Sequence, residues 1–190
     1  MKTLILNGSP TKNGDTIALL NEFTKHLKGD IKTLSHDDNI NPCVDCRYCW
    51  SNQGCCTNDV RLKEVYRYLD DCDNIVLASP IWFSSLSGPL LNLASRVQAL
   101  WANNYFLKMP YASKVKKGVI IIVGAQDGTE IIPTQTALTI MKYMNVDRSD
   151  VAKVYSLNTN DIPAGDDTAA LDKCRKVAEW LNRLKGMGPT

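Results

Sequence analysis

The stretch Thr3-Leu4-Ile5-Leu6-Asn7-Gly8-Ser9-Pro10-Thr11-Lys12-Asn13-Gly14-Asp15-Thr16 decides how this chain is read. Its first four residues form a dense apolar run that Gly8 and Pro10 soon end, which predicts a short buried strand. From Ile17 onward the apolar residues recur at helical spacing, with Ile17, Leu20, Phe23 and Leu27 on one face. The loop between strand and helix is rich in Gly and hydroxyl side chains. Such a loop before a helix N-terminus suits a phosphate: unpaired backbone N–H groups and the helix dipole attract the anion, and Ser9, Thr11 and Thr16 add donors. A plain helix cap from Asp15 or Asn13 is the competing reading, but a cap alone does not call for so many Gly and hydroxyl residues. Neither Gly-x-Gly-x-x-Gly nor a Gly-Lys-Ser/Thr ending is present, which argues against a tightly held dinucleotide and against a P-loop nucleotidase.

Outward from this stretch, residues 75–78 and 119–123 predict two more buried strands, and the more polar runs 31–34 and 151–157 predict strands at the sheet edges. Helical stripes lie between them: Leu62, Val65, Tyr66 and Leu69; Leu90, Ala94, Val97 and Trp101; Ala137, Ile140, Met141 and Met144; and Leu171, Cys174, Val177, Ala178, Leu181 and Leu184. Five strands thus alternate with five helices. Strict alternation implies right-handed crossovers and a parallel sheet covered on both faces, a three-layer, doubly wound α/β fold. The first, third and fourth strands read as the most buried, which fits a five-stranded sheet in the order 2-1-3-4-5; the other common doubly wound order needs a sixth strand. Ligands then bind beyond the carboxyl ends of the strands, where the order reverses between the first and third.

The 190 residues suit a single domain, 1–190, and 44% hydrophobic with 22% charged residues is ordinary for a soluble globular protein. A net charge of +2 without a run of five like charges gives no reason to expect nucleic acid or a membrane surface as partner. No apolar stretch reaches membrane-spanning length, and residues 3–6 are too short for a secretory signal, so a cytoplasmic setting is expected. In that reducing compartment seven cysteines point to metal, cluster or redox use rather than to disulfides.

Most of those cysteines fall in the loop 42–57, as Cys43-x2-Cys46-x2-Cys49-x5-Cys55. Three cysteines at a spacing of three place thiolates around one centre, as iron-sulfur clusters require, whereas structural zinc sites more often pair two separated knuckles. Cys56 leaves the fourth ligand ambiguous by one residue. Zinc, a redox thiol pair, and small packed side chains stay open as alternatives. Cys72 and Cys174 fall on helical stripes and are expected in the core. His26 and His36 stand singly in surface-like contexts, and no Ser-His-Asp or Cys-His arrangement is found.

The runs NGSPTKNGDT at 7–16, ASPIWFSSLSGPL at 78–90 and IVGAQDG at 122–128 resemble the NAD(P)H-dependent FMN reductases and iron-sulfur flavoproteins of the flavodoxin-like superfamily, over most of residues 1–130. The resemblance implies a flavodoxin-like fold and bound FMN. Its phosphate would lie on Ser9, Thr11, Asn13, Gly14, Asp15 and Thr16. Pro80, Ile81, Trp82 and Phe83 would border the isoalloxazine, with Gly124, Gln126, Asp127 and Gly128 on its other side. An aromatic wall suits a flat ring, and glycines let backbone N–H groups approach its polar edge. Trp82 and Phe83 could instead pack under the third helix. Relatives often carry a basic residue and an Asn where this chain has Thr11 and Asp15, and an aspartate beside a phosphate is unfavourable unless it turns away.

The cysteine spacing resembles the compact motif of iron-sulfur flavoproteins and implies a [4Fe-4S] cluster on Cys43, Cys46, Cys49 and Cys55. Two activities follow from the resemblance. One is an FMN-containing reductase that moves electrons from NAD(P)H to a small acceptor such as a flavin or quinone; the other is an electron carrier that uses FMN and a cluster to serve a redox protein. Hydride chemistry belongs to the flavin, so the reductase needs no acid-base pair of its own. The resemblance also implies a homodimer or homotetramer, for which the aromatic segment 101–111 offers contact surface.

Overall fold

Leu4 and Leu6 point to one side of the sheet and Ile5 to the other; the same alternation separates Ile75 and Leu77 from Val76 and Ala78, and Ile120 and Ile122 from Val119 and Ile121. Both sets are buried, so the central strands are covered on both faces and read as unbroken apolar runs. The computed structural model describes residues 1–52, 56, 60–110 and 112–183. In it β1 (Lys2–Asn7), β2 (Asp30–Leu34), β3 (Asn74–Trp82), β5 (Lys116–Val123) and β6 (Val146–Ser156) form one parallel sheet in the order β2-β1-β3-β5-β6. A two-residue strand, β4 (Ser85–Leu86), pairs antiparallel with the end of β3. The parallel core therefore has the expected five strands and order, and β4 is an addition, too short to leave a periodic signal.

The helices are α1 (Asp15–His26), α2 (Val60–Asp71), α3 (Gly88–Ala94), α4 (Gln98–Leu107), α5 (Ile131–Tyr143) and α6 (Thr168–Leu181). One face of the sheet packs against α1 and α6, the other against the segment from α2 to α5. The stripe read as one third helix is in fact two helices joined by a 3-10 turn, Ser95–Val97. Ser95 donates from Oγ to the Asn92 carbonyl at 2.6 Å, a back-bond of the kind that bends helices. The apolar spacing continues through the break, so periodicity alone could not reveal it.

β5 begins earlier than its apolar run suggests, because Lys116 and Lys117 lie in the strand and are buried. Their stems pack inward while the ammonium groups find backbone carbonyls, Lys116 that of Lys114 at 2.8 Å and Lys117 that of Arg183 at 3.1 Å. Cys72 and Cys174 are buried in the core as expected.

Candidate cofactor site and cysteine loop

The loops after β1, β3 and β5 open at the carboxyl end of the sheet and are tied to one another. Gly8 donates its N–H to the Ala78 carbonyl at 2.8 Å, and Ser87 donates from Oγ to the Gly8 carbonyl at 2.7 Å. Ser87 also donates its N–H to Ser79 Oγ at 2.9 Å. A Cβ on Gly8 would stand 2.6 Å from Leu90 Cβ, so only glycine lets β1 leave the sheet this close to α3. On the other side, a Cβ on Gly124 would stand 2.8 Å from Ile81 Cδ1, which presses the loop after β5 against the end of β3.

The loop after β1 is held in shape from within. Ser9 is 2% exposed, donates its N–H to Asn7 Oδ1 at 2.9 Å, and donates from Oγ to the Thr11 carbonyl at 2.8 Å. Thr16 is buried in the first turn of α1, and the residue capping that helix is Gly14, with no side-chain cap. The first N–H groups of α1 are thus left without the side-chain acceptor that most helices recruit, the arrangement an anion would complete. The Asp15 carboxylate accepts the Ala164 N–H at 2.7 Å and is committed to the loop before α6. Thr11, Lys12 and Asn13 are exposed.

Pro80, Ile81 and Trp82 belong to β3 rather than to a loop, and Phe83 with Ser84 turns the chain into β4. Phe83 (φ 51°) and Ser84 (φ 54°) are both left-handed, the two-residue turn that usually calls for Asn-Gly. A left-handed L-residue costs about 1–2 kcal/mol. Phe83 gains no packing in return, being 103% exposed, and Trp82 is 43% exposed. Phe83 therefore does not pack under α3. Across the mouth Gln126, Asp127 and Gly128 are exposed, with Gly128 at φ +85°. Just past them Glu130, the residue before α5, buries Oε2 without a hydrogen-bond partner among the described residues.

The cysteine loop packs against the break between α3 and α4. Cys43 is half-buried, Cys46 exposed, and Cys49 and Cys56 buried in the core; Cys55 lies outside the described residues. Asp45 (φ 50°) and Arg47 (φ 60°) are left-handed, one after each of the first two cysteines, the kind of backbone turn that forms concavities around phosphates and iron-sulfur centres. The 3-10 turn Tyr48–Trp50 follows, and Trp50 stacks on Phe106 of α4 with ring centroids 4.2 Å apart. Burial pushes the Cys49 thiol above its ordinary value, and the neighbouring Cys56, Cys43 and Cys46 add to the shift. Burial first, and then Cys56 beside it, also raises Tyr66, which stays a protonated donor and bonds the Arg96 carbonyl at 2.8 Å.

Among the described residues no three Cys, His, Asp or Glu side chains converge to hold a single metal ion. An all-thiol set gathered about a buried Cys49 fits an iron-sulfur cluster better than zinc, because a cluster offers each thiolate a separate iron. Sequence reading missed Ser87, Ser95, Tyr66 and Arg96. Ser87-Gly88-Pro89 carries a helix-start signal that could have drawn attention to the first. The others reach the cysteine loop or one another through contacts distant in sequence.

Residues 1–152 match the family NADPH-dependent FMN reductase. Two iron-sulfur flavoproteins of Methanocaldococcus jannaschii are 27% and 28% identical, over 66% and 72% of this chain and 63% and 68% of their own lengths. The chain thus spans just under two thirds of the first of them. Among solved structures, the NAD(P)H:quinone oxidoreductase from Methanothermobacter marburgensis superposes with a TM-score of 0.70 at 16% identity, covering 99% of each chain. An azoreductase from Bacillus anthracis gives 0.65 at 14%, covering 95% of this chain and 99% of its own. At such identities the likeness shows a shared flavodoxin-like fold. With four fifths of its length matched, this chain belongs to the NADPH-dependent FMN reductase family.

Proposed function

We propose that residues 1–190 form one FMN-binding domain that passes electrons from NADH or NADPH to a small acceptor such as a free flavin or a quinone. The observation that carries this is the uncapped start of α1, with Ser9 and Thr16 buried beside it, opening at the same end of the sheet as Trp82 and the Phe83–Ser84 turn. Ser9, Thr11, Asn13, Gly14 and Thr16 bind the phosphate, and Asp15 fixes the loop through Ala164. Pro80, Ile81, Trp82 and Phe83 form an apolar wall for the ring and exclude water from one side of it. Gly124, Gln126, Asp127 and Gly128 approach its polar edge. When bound, FMN supplies the hydride-accepting and electron-donating chemistry.

A homodimer or homotetramer in the cytoplasm belongs to the same proposal. The exposed side chains of Trp82, Phe83, Tyr105 and Phe106 support an assembly, and among the described residues no helix is long and apolar enough to cross a membrane. The protein purified without air should show flavin absorbance that NADH or NADPH bleaches and a quinone restores. Bound flavin that neither nicotinamide bleaches sinks the reductase reading.

The loop that carries Cys43, Cys46, Cys49 and Cys56, with Cys49 and Cys56 in one buried cluster, favours a second reading, in which a [4Fe-4S] cluster relays single electrons to a redox protein. Iron and acid-labile sulfide in the same preparation should then accompany the flavin. Full flavin without iron after reconstitution counts against it.

A further inference from the structure

The break between α3 and α4 has a partner that the sequence does not announce. Arg96, in the middle of the 3-10 turn, donates from Nη1 to Cys56 Sγ at 3.0 Å and from Nε to the Asn41 carbonyl at 2.5 Å. Its neighbour Ser95 accepts the Cys43 N–H on Oγ at 2.8 Å. Two consecutive residues of one turn therefore grip both ends of the cysteine loop, Asn41 and Cys43 where it begins and Cys56 where it closes. Tyr66 on α2 fixes the grip from behind by bonding the Arg96 carbonyl.

A guanidinium engaged at two of its nitrogens holds one orientation, which a flexible ammonium would not. Cys56 is 5% exposed and lies in the same core cluster as Cys49. The Arg96 bond fixes Cys56 Sγ in the core cluster that also contains Cys49.

From this contact we infer that Cys56, not Cys55, is the fourth thiolate of the cysteine loop, and that Arg96 is the positioning residue that seats it and tunes the centre it helps to hold. The inference rests on the cluster reading above. A hydrogen bond from a cation to a ligating sulfur withdraws charge from it and favours the more negative, reduced state of the centre. Arg96 therefore raises the reduction potential.

The test is anaerobic reconstitution of the full chain with ferrous iron and sulfide, followed by iron and sulfide analysis and a redox titration read by electron paramagnetic resonance. Wild type, Cys55→Ser, Cys56→Ser, Arg96→Lys and Arg96→Gln are compared, with FMN content as the check on folding. We expect Cys55→Ser to keep the wild-type iron and Cys56→Ser to lose iron. Arg96→Gln should move the potential negative, and Arg96→Lys should recover part of that shift. Iron lost from Cys55→Ser but kept in Cys56→Ser overturns the ligand assignment. An unmoved potential in Arg96→Gln with full iron overturns the tuning role. If Arg96→Gln does not retain FMN, the two cysteine variants still decide the ligand and Arg96→Lys the potential. Wild type that takes up FMN but no iron overturns the cluster reading itself, before any variant is measured, and this inference with it.

Discussion

The Asp15 carboxylate accepts the backbone N–H of Ala164 at 2.7 Å across 149 residues of sequence, and so binds the first turn of α1 to the loop before α6. That bond explains how an acidic residue stands in a loop read as a phosphate site. Asp15→Asn keeps an oxygen for Ala164 and removes the charge. It should tighten FMN about fivefold, through about 1 kcal/mol of relieved repulsion. Asp15→Ala also loses the bond and should cost about 1 kcal/mol of stability. Flavin titration and denaturant unfolding of both variants check this; weaker flavin binding in Asp15→Asn would place the carboxylate among the binding groups.

Gly8→Ala should destabilise the protein by about 1–3 kcal/mol, since the new methyl must push Leu90 and Ser87, and with them α3, away from β1. The same displacement widens the mouth, so flavin affinity should fall with stability. A shift in urea midpoint at unchanged slope is the measurement, and an unchanged midpoint would show that α3 is not seated as described.

Replacing Phe83 by Asn or Gly should leave the flavin-free protein as stable as wild type or more so, by about 1 kcal/mol, because the side chain is fully exposed while its left-handed backbone is strained. Flavin affinity or assembly should fall instead. Thermal unfolding with and without FMN separates the two effects, and a loss of stability without flavin would mean that Phe83 packs on its own chain.

Lys2 bonds Asp71 at 2.5 Å, and Lys114 bonds the same carboxylate at 2.9 Å; together they hold it well below its ordinary value, at about 2. A carboxylate depressed on folding contributes stability that is complete above its unfolded pKa and is lost as pH falls through the folded one. This contribution is therefore present at neutral pH and disappears between about 4 and about 2. All three groups are exposed, so the effect is small and screened by salt. Acid unfolding of Asp71→Asn at low and high salt should show a shallower fall in this window than wild type; identical curves would dismiss the ion pair as a contributor.

The architecture was legible in the sequence wherever burial is set by local pattern. Residues 3–6, 75–78 and 119–123 are apolar on both faces because both faces of a central parallel strand are covered, and the weaker runs marked the edges. The loop 7–16 could be read as a candidate anion site because its donors come from a few consecutive residues. Local pattern failed where a side chain's partner is remote. Lys116 and Lys117 looked too polar for a strand interior, yet backbone carbonyls at the surface take their ammonium groups. The stripe from Leu90 to Trp101 concealed a broken helix, since the break preserves the apolar face and is stabilised by the cysteine loop some fifty residues earlier.

By itself, then, the sequence determined the sheet and its strand order, because both follow from the spacing of neighbours along the chain. Only the tertiary structure decided that Asp15 turns to Ala164, that Phe83 stands exposed on a strained turn, and that Arg96 takes hold of Cys56. Those depend on which distant groups the fold brings within hydrogen-bonding distance, a three-dimensional fact that no one-dimensional periodicity encodes.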